Sequence, residues 1–154
     1  MAINDIKTRY LELLQYFQDL KSQGKSFWIG EEKYLELLSC RIVLNDHFYY
    51  QKKDQYVWLL KDFINRKIDG KEFETTFFQM FYADYNWDEL LKTDFELDPQ
   101  SKGFSVLLTG ISVWISRTIF EDCDNPREDY EISETQLRDS VRKIFLEILV
   151  FYIS

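Results

Sequence analysis

A chain of 154 residues fits one domain, and with 45% apolar and 18% aromatic residues it has enough core-forming side chains to exclude disorder. A net charge of −8 and a pI near 4.7 exclude the cationic surfaces that hold nucleic acid or anionic membranes. Five glycines and two prolines are too few for the tight turns of an all-β sandwich, which leaves a helical protein as the expectation.

In chain order, the N-terminus MAINDIKTRY lacks a basic stretch followed by an apolar core, so no signal peptide is read there. Ile3, Ile6, Tyr10, Leu13, Leu14, Phe17 and Leu20 recur at helical spacing and predict a first helix ending near Gly24. Phe27 to Gly30 reads as a connector. Tyr34, Leu35, Leu38, Ile42 and Val43 predict a second helix. Asn45 to Lys53 is polar and aromatic, and fits either a linker or the end of that helix.

From Asp54 the stripe Tyr56, Leu59, Leu60, Phe63, Ile64 and Ile68 marks a third helix. Asp69 with Glu72 three residues on has the spacing of a capping-box start for a fourth, carrying Phe73, Phe77, Met80 and Phe81. Phe78, Tyr82 and Tyr85 fall off that stripe, and fit either core packing or exposed anchors. A short amphipathic turn through Trp87, Leu90 and Leu91 follows, and Pro99 stops it. Phe104, Leu107, Leu108, Ile111, Ile115 and Ile119 line the next helix. Ser133 with Gln136 caps a last one through Leu137, Val141, Ile144, Phe145, Ile148 and Leu149. The predicted fold is all-α, a single bundle of about six or seven helices with short loops. Residues 1–53 are expected to be an N-terminal helical pair, appended to or completing the bundle, and 54–154 the bundle domain.

The acids are unevenly spread. Asp84 to Asp98 holds six acids and one base, Lys92; Glu121 to Glu134 holds seven and one base, Arg127. Without these two stretches the chain is net positive. Concentrated like charge destabilises a fold, and its use is to attract and select a cationic partner. Asp84 to Asp98 spans a helix C-terminus, a short turn and a loop, and Glu121 to Glu134 the loop before the last helix. Loops at one end of a bundle can converge, and a polyanion mimic requires that these two gather on one exposed face.

Other chemistries are poorly supported. Asp122 and Asp124 open like a calcium loop, but Arg127 stands where glycine is required and Ser133 where the bidentate glutamate belongs. His47, the only histidine, has Asp46 beside it but no nucleophile in context, and reads as a surface or packing residue. Cys40 lies on an apolar helix, and Cys123 between two acids is a poor nucleophile; a reduced, cytoplasmic chain is the simplest reading. Neither a phosphate-binding glycine loop nor a metal motif is present, so no enzyme, cofactor or metal is expected.

Three further segments carry a resemblance. They are Leu60 to Glu74, with Phe77 three residues later; Phe120-Glu121-Asp122-Cys123-Asp124-Asn125-Pro126; and Tyr130 to Glu134 with Leu137 and Arg138. From about residue 54 onward the chain resembles the bacterial immunity proteins of the colicin D type, which protect a producing cell from a tRNA-cleaving toxin. Residues 1–53 have no counterpart in that resemblance. It implies a stoichiometric inhibitor that presents carboxylates in place of RNA phosphates to the basic cleft of a nuclease toxin. The contact residues follow from the charge of this chain: Asp84, Asp88, Glu89, Asp94, Glu96, Glu121, Asp122, Asp124, Glu128, Asp129 and Glu131, with Trp87 and Tyr130 as apolar anchors. A helical scaffold or self-associating protein, with solvated acidic loops, is the alternative.

Overall fold

A computed structural model describes residues 3–26, 30–120 and 130–153. Among them are six α-helices: α1 (Ile3–Ser22), α2 (Glu31–Tyr50), α3 (Lys53–Ile64), α4 (Gly70–Tyr85), α5 (Phe104–Ser116) and α6 (Glu134–Leu149). The polar-aromatic stretch after Asn45 is the last part of α2, and its aromatics are buried rather than linking. Short 3-10 turns at Asp88–Lys92 and Pro99–Ser101 bridge α4 and α5.

Two of the starts are dictated locally. The Asp69 carboxylate accepts the Glu72 N–H at 2.9 Å, and Ser133 and Gln136 exchange both capping-box bonds, at 2.8 and 3.1 Å. Helix α5 has no cap of its own. Gly103 enters it with φ +88°, a conformation that favours glycine, and the cap is lent by α2. Buried Asp46 accepts from the N–H of Gly103 (2.9 Å) and from the N–H and hydroxyl of Ser105 (2.8 and 2.5 Å).

One expectation needs correcting here. Helix α5 stops at Ser116, and Ile119 is not on it. Thr118–Ile119 (β1) pairs in parallel with Ile132–Ser133 (β2), and the Ile132 N–H donates to the Arg117 carbonyl at 2.8 Å. β-Branched Thr118 and Ile119 suit the extended backbone. The fold is otherwise all-α.

Two apolar cores share α2. The larger is built by α3 to α6 with Tyr49 and Tyr50, and centres on Phe63, Phe73, Phe77, Phe104, Leu108 and Val141. The Phe63 and Phe73 rings stack face to face, centroids 4.1 Å apart. The smaller holds Tyr10 and Leu13 of α1, Cys40, Leu44 and Phe48 of α2, and Trp87, Leu91 and Leu97 from the segment after α4. Helix α2 is apolar on more than one face: Cys40, Leu44 and Phe48 are buried, while Leu35, Leu38 and Ile42, which predict the helix in the sequence, are exposed.

Helix α4 joins the α6 start to the second core. At its N-terminus the Gly70 N–H donates to Glu134 Oε1, and the Phe120 ring lies against the same glycine. Its C-terminus, where Tyr56 Oη donates to Asp84 at 2.8 Å, leads into the second core. At ~1.5 Å per residue the 16-residue helix is about 24 Å long.

Candidate functional site

The segment after α4 alternates like a strand without being one. Phe95 and Leu97 point inward, while Asp94 and Glu96 are exposed. Phe95 stacks on His47, centroids 5.1 Å apart, and packs on Phe48. The Asp98 N–H donates to His47 Nδ1 at 3.1 Å, which requires an unprotonated acceptor nitrogen. Burial pushes the His47 pKa below its ordinary value, with Asp98 opposing. The Asp98 carboxylate caps the next turn by accepting the Gln100 N–H at 2.8 Å. The histidine is therefore a buried post under the acidic loop.

On the surface above it, Asp88, Glu89, Asp94 and Glu96 are exposed. Lys92 pairs with Glu89 at 3.3 Å. Asp88, Asp94 and Glu96 make no ion pair or side-chain hydrogen bond among the described residues. Lys7 borders the patch and donates to the Thr93 carbonyl at 2.9 Å. Beside these acids, Tyr82 and Tyr85 stand 65% and 45% exposed at the end of α4, and Leu90 is 47% exposed on the turn that follows. Of the aromatics that fall off the α4 stripe, Tyr82 and Tyr85 are exposed, and Phe78 is half-buried and stacks on Tyr82.

Two of the sequence-predicted contacts are placed elsewhere. Trp87 is 1% exposed, stacks on Phe48 and donates Nε1–H to Asn45 Oδ1 at 2.7 Å. It is a core residue, so its reading as a surface anchor is withdrawn; a large ring with one satisfied N–H is more stable inside. Asp84 is half-buried, and its carboxylate satisfies the fully buried Tyr56 hydroxyl. Burial and that bond push the tyrosine pKa up.

In the second acidic stretch, Glu121, Asp122, Asp124, Glu128 and Asp129 lie outside the described residues. Tyr130 is 63% exposed and Glu131 half-buried. Glu134 is held at the N-terminus of α4. The described acids thus occupy two regions at opposite ends of α4, and the expected single acidic face is not formed by them. Long-range pairing of Glu134 with Gly70 separates them, and no sequence pattern announces it.

One residue was missed by reading the sequence. Arg41 of α2 lies against the Tyr85 and Trp87 rings, 4.9 and 5.1 Å from their centroids, and donates to Tyr10 Oη (3.0 Å) and Tyr85 Oη (3.3 Å). A lone arginine on a helix carries no local signal. Only its partners, 31 and 44 positions away, reveal it. Among the described residues no group of three or more His, Cys, Asp or Glu side chains is arranged to hold a metal, and no helix is long and apolar enough to cross a membrane.

A family model described as bacterial self-protective colicin-like immunity matches residues 52–148. No curated protein and no solved structure matches the chain. The matched span holds Phe63, Gly70, Phe73, Glu134 and Arg138, which form the junction of α3, α4 and α6. Arg138 Nε donates to the Phe63 carbonyl at 2.8 Å, with its guanidinium over the Phe63 ring.

Proposed function

The chain belongs to the bacterial colicin-like immunity family, a family of inhibitors that act against a bacteriocin, and we propose that its target is a nuclease toxin whose cationic cleft it occupies with carboxylates. The exposed acids Asp88, Glu89, Asp94 and Glu96 carry this reading. A nuclease must be cationic where it grips RNA, because phosphate binding needs Lys and Arg. Carboxylates on a fixed loop offer those cations charge-assisted hydrogen bonds without a scissile bond. The Phe95 and Leu97 anchors hold that loop before binding, which lowers the entropy lost on docking. Tyr82, Tyr85 and Leu90 supply apolar area next to the acids, as a protein partner requires. Of the second stretch, Glu131 and Tyr130 belong to this reading as contacts before α6, and Glu121, Asp122, Asp124, Glu128 and Asp129 belong to it by their charge alone. On this account the protein is not an enzyme, and it acts in the cytoplasm of the producing cell.

Competition with RNA tests the reading. A catalytically silenced toxin domain loaded with a nuclease-resistant RNA substrate is expected to release it one for one as the chain is added. A stable ternary complex of toxin, RNA and chain would contradict cleft occupancy.

Self-association is the second reading, favoured by Leu35, Leu38 and Ile42, which form an exposed stripe on α2. Light scattering across a hundredfold range of concentration separates the two. A constant monomer mass is expected for the inhibitor, and a rising mass supports the stripe as a contact between copies.

A further inference from the structure

Behind the acidic loop lies a groove of about 500 Å³, lined by Tyr10, Leu11, Leu14 and Gln18 of α1, Arg41 of α2, and Asp88, Leu91 and Lys92 of the turn after α4. Its apolar part is made by Leu11, Leu14 and Leu91. Its charged part holds Arg41, Lys92 and Asp88. Lys92 is engaged with Glu89. Arg41 forms no ion pair with Asp88 or any other carboxylate among the described residues. Its two hydrogen bonds go to phenols, and its Nη2 amino group donates to nothing among the described residues.

Such a guanidinium is held but not neutralised. Two aromatic rings and two phenol oxygens fix its plane at the edge of an apolar trough. Arginine has a planar fork suited to taking a carboxylate through two parallel bonds. We infer, resting on the toxin-facing reading of the Asp84–Asp98 segment, that this groove receives an acidic side chain of the toxin presented beside an apolar or aromatic one, and that Arg41 is the group that selects it.

The consequence is specificity. Carboxylates alone attract any cationic cleft, so the acidic patch by itself discriminates poorly among nucleases. A cation placed within the same surface repels a partner that presents only positive charge there, and rewards one that brings an acid. Attraction from the patch governs encounter, whereas the desolvated Arg41 contact governs how long the complex lasts.

Small probes test the groove chemistry with no toxin present. 3-Phenylpropionate, 3-phenylpropanol and 3-phenylpropylamine share one apolar body and differ only in the end group. Titrated into isotope-labelled protein and followed by NMR, the carboxylate is expected to shift the Leu11, Leu14 and Leu91 methyl signals at threefold or more lower concentration than the alcohol. The amine is expected to be weakest. Arg41→Gln should erase the preference for carboxylate over alcohol and Arg41→Lys should retain part of it. Because the preference is a ratio within one protein, a variant of lower stability still reports on it. The amine binding best, the three probes binding alike or not at all, or a preference that survives Arg41→Gln would each overturn the inference.

With the toxin domain, Arg41→Gln is expected to raise the dissociation rate tenfold or more and to change the association rate less than twofold. Unchanged dissociation, with charge reversal at Asp94 and Glu96 still slowing association, would remove the role of Arg41 and leave cleft occupancy standing. Loss of the toxin effect of Asp94 and Glu96 alone would remove cleft occupancy and leave the groove chemistry intact.

Discussion

Asp84 and Glu96 look alike in the sequence, both being acids of one cluster, yet they do different work. Asp84 satisfies the fully buried Tyr56 hydroxyl, so Asp84→Ala leaves that group unpaired and is expected to cost about 1–3 kcal/mol in urea unfolding. Exposed Glu96 supports nothing in the fold, and Glu96→Ala is expected to stay within about 0.5 kcal/mol. His47 makes a pH-dependent contribution whose sign follows from its environment. Burial lowers its pKa in the folded chain from the ordinary 6.5, so the unfolded chain takes up the proton first. The contribution is whole above pH 6.5 and is lost as pH falls below it. Unfolding midpoints at pH 7.5 and 5.5 are expected to differ more for the native chain than for His47→Asn, which keeps an acceptor for the Asp98 N–H and has nothing to protonate. At this scale the sequence showed which residues are acids and which aromatics leave the α4 stripe. It did not show which acids face inward, because Tyr56 and Asp84 meet only through packing, 28 positions apart. Trp87 failed for the same reason: an aromatic beside acids reads as an anchor until Asn45 is found to satisfy its N–H.

Helices whose ends are marked by neighbours were legible, and those whose ends depend on distant groups were not. Asp69 and Ser133 cap within three residues and gave the starts of α4 and α6 correctly. Helix α5 is capped by Asp46, 57 to 59 residues earlier, and in the sequence the polar-aromatic stretch around that aspartate fits a linker as well as a helix. The end of α5 was overrun for a related reason. Ile119 keeps the helical spacing, but its backbone is taken by β2 from across the loop. The start of α4 also carries a packing constraint. A Cβ on Gly70 would meet the Glu134 carboxylate and come within 2.5 Å of the Phe120 ring. Gly70→Ala is therefore expected to destabilise the fold by about 1–3 kcal/mol and to lower the thermal midpoint. Phe63, Gly70, Phe73, Glu134 and Arg138, which are among the residues that carry the family resemblance, lie at this junction. That part of the resemblance belongs to the scaffold, and the surface around Asp88–Glu96 is read from charge and exposure.

For the molecule as a whole, the arrangement that matters is two cores joined by α2, with the Asp88–Glu96 acids mounted on the smaller one. Residues of α1 and α2 that have no counterpart in the resemblance hold this loop in place through Tyr10, Phe48 and His47. On the proposed function the toxin cleft is addressed by the Asp88–Glu96 acids, which stand at the opposite end of α4 from Glu134. Opposite charges steer association at low salt and are screened within about 8 Å at physiological ionic strength. The rate of association with the toxin domain, followed by stopped flow from 20 to 500 mM salt, therefore measures the claim directly. The native chain is expected to slow at least tenfold over that range. A chain bearing Asp88→Lys, Asp94→Lys and Glu96→Lys is expected to start slower and to show a nearly flat salt profile. A salt dependence that survives the triple reversal unchanged would contradict the account.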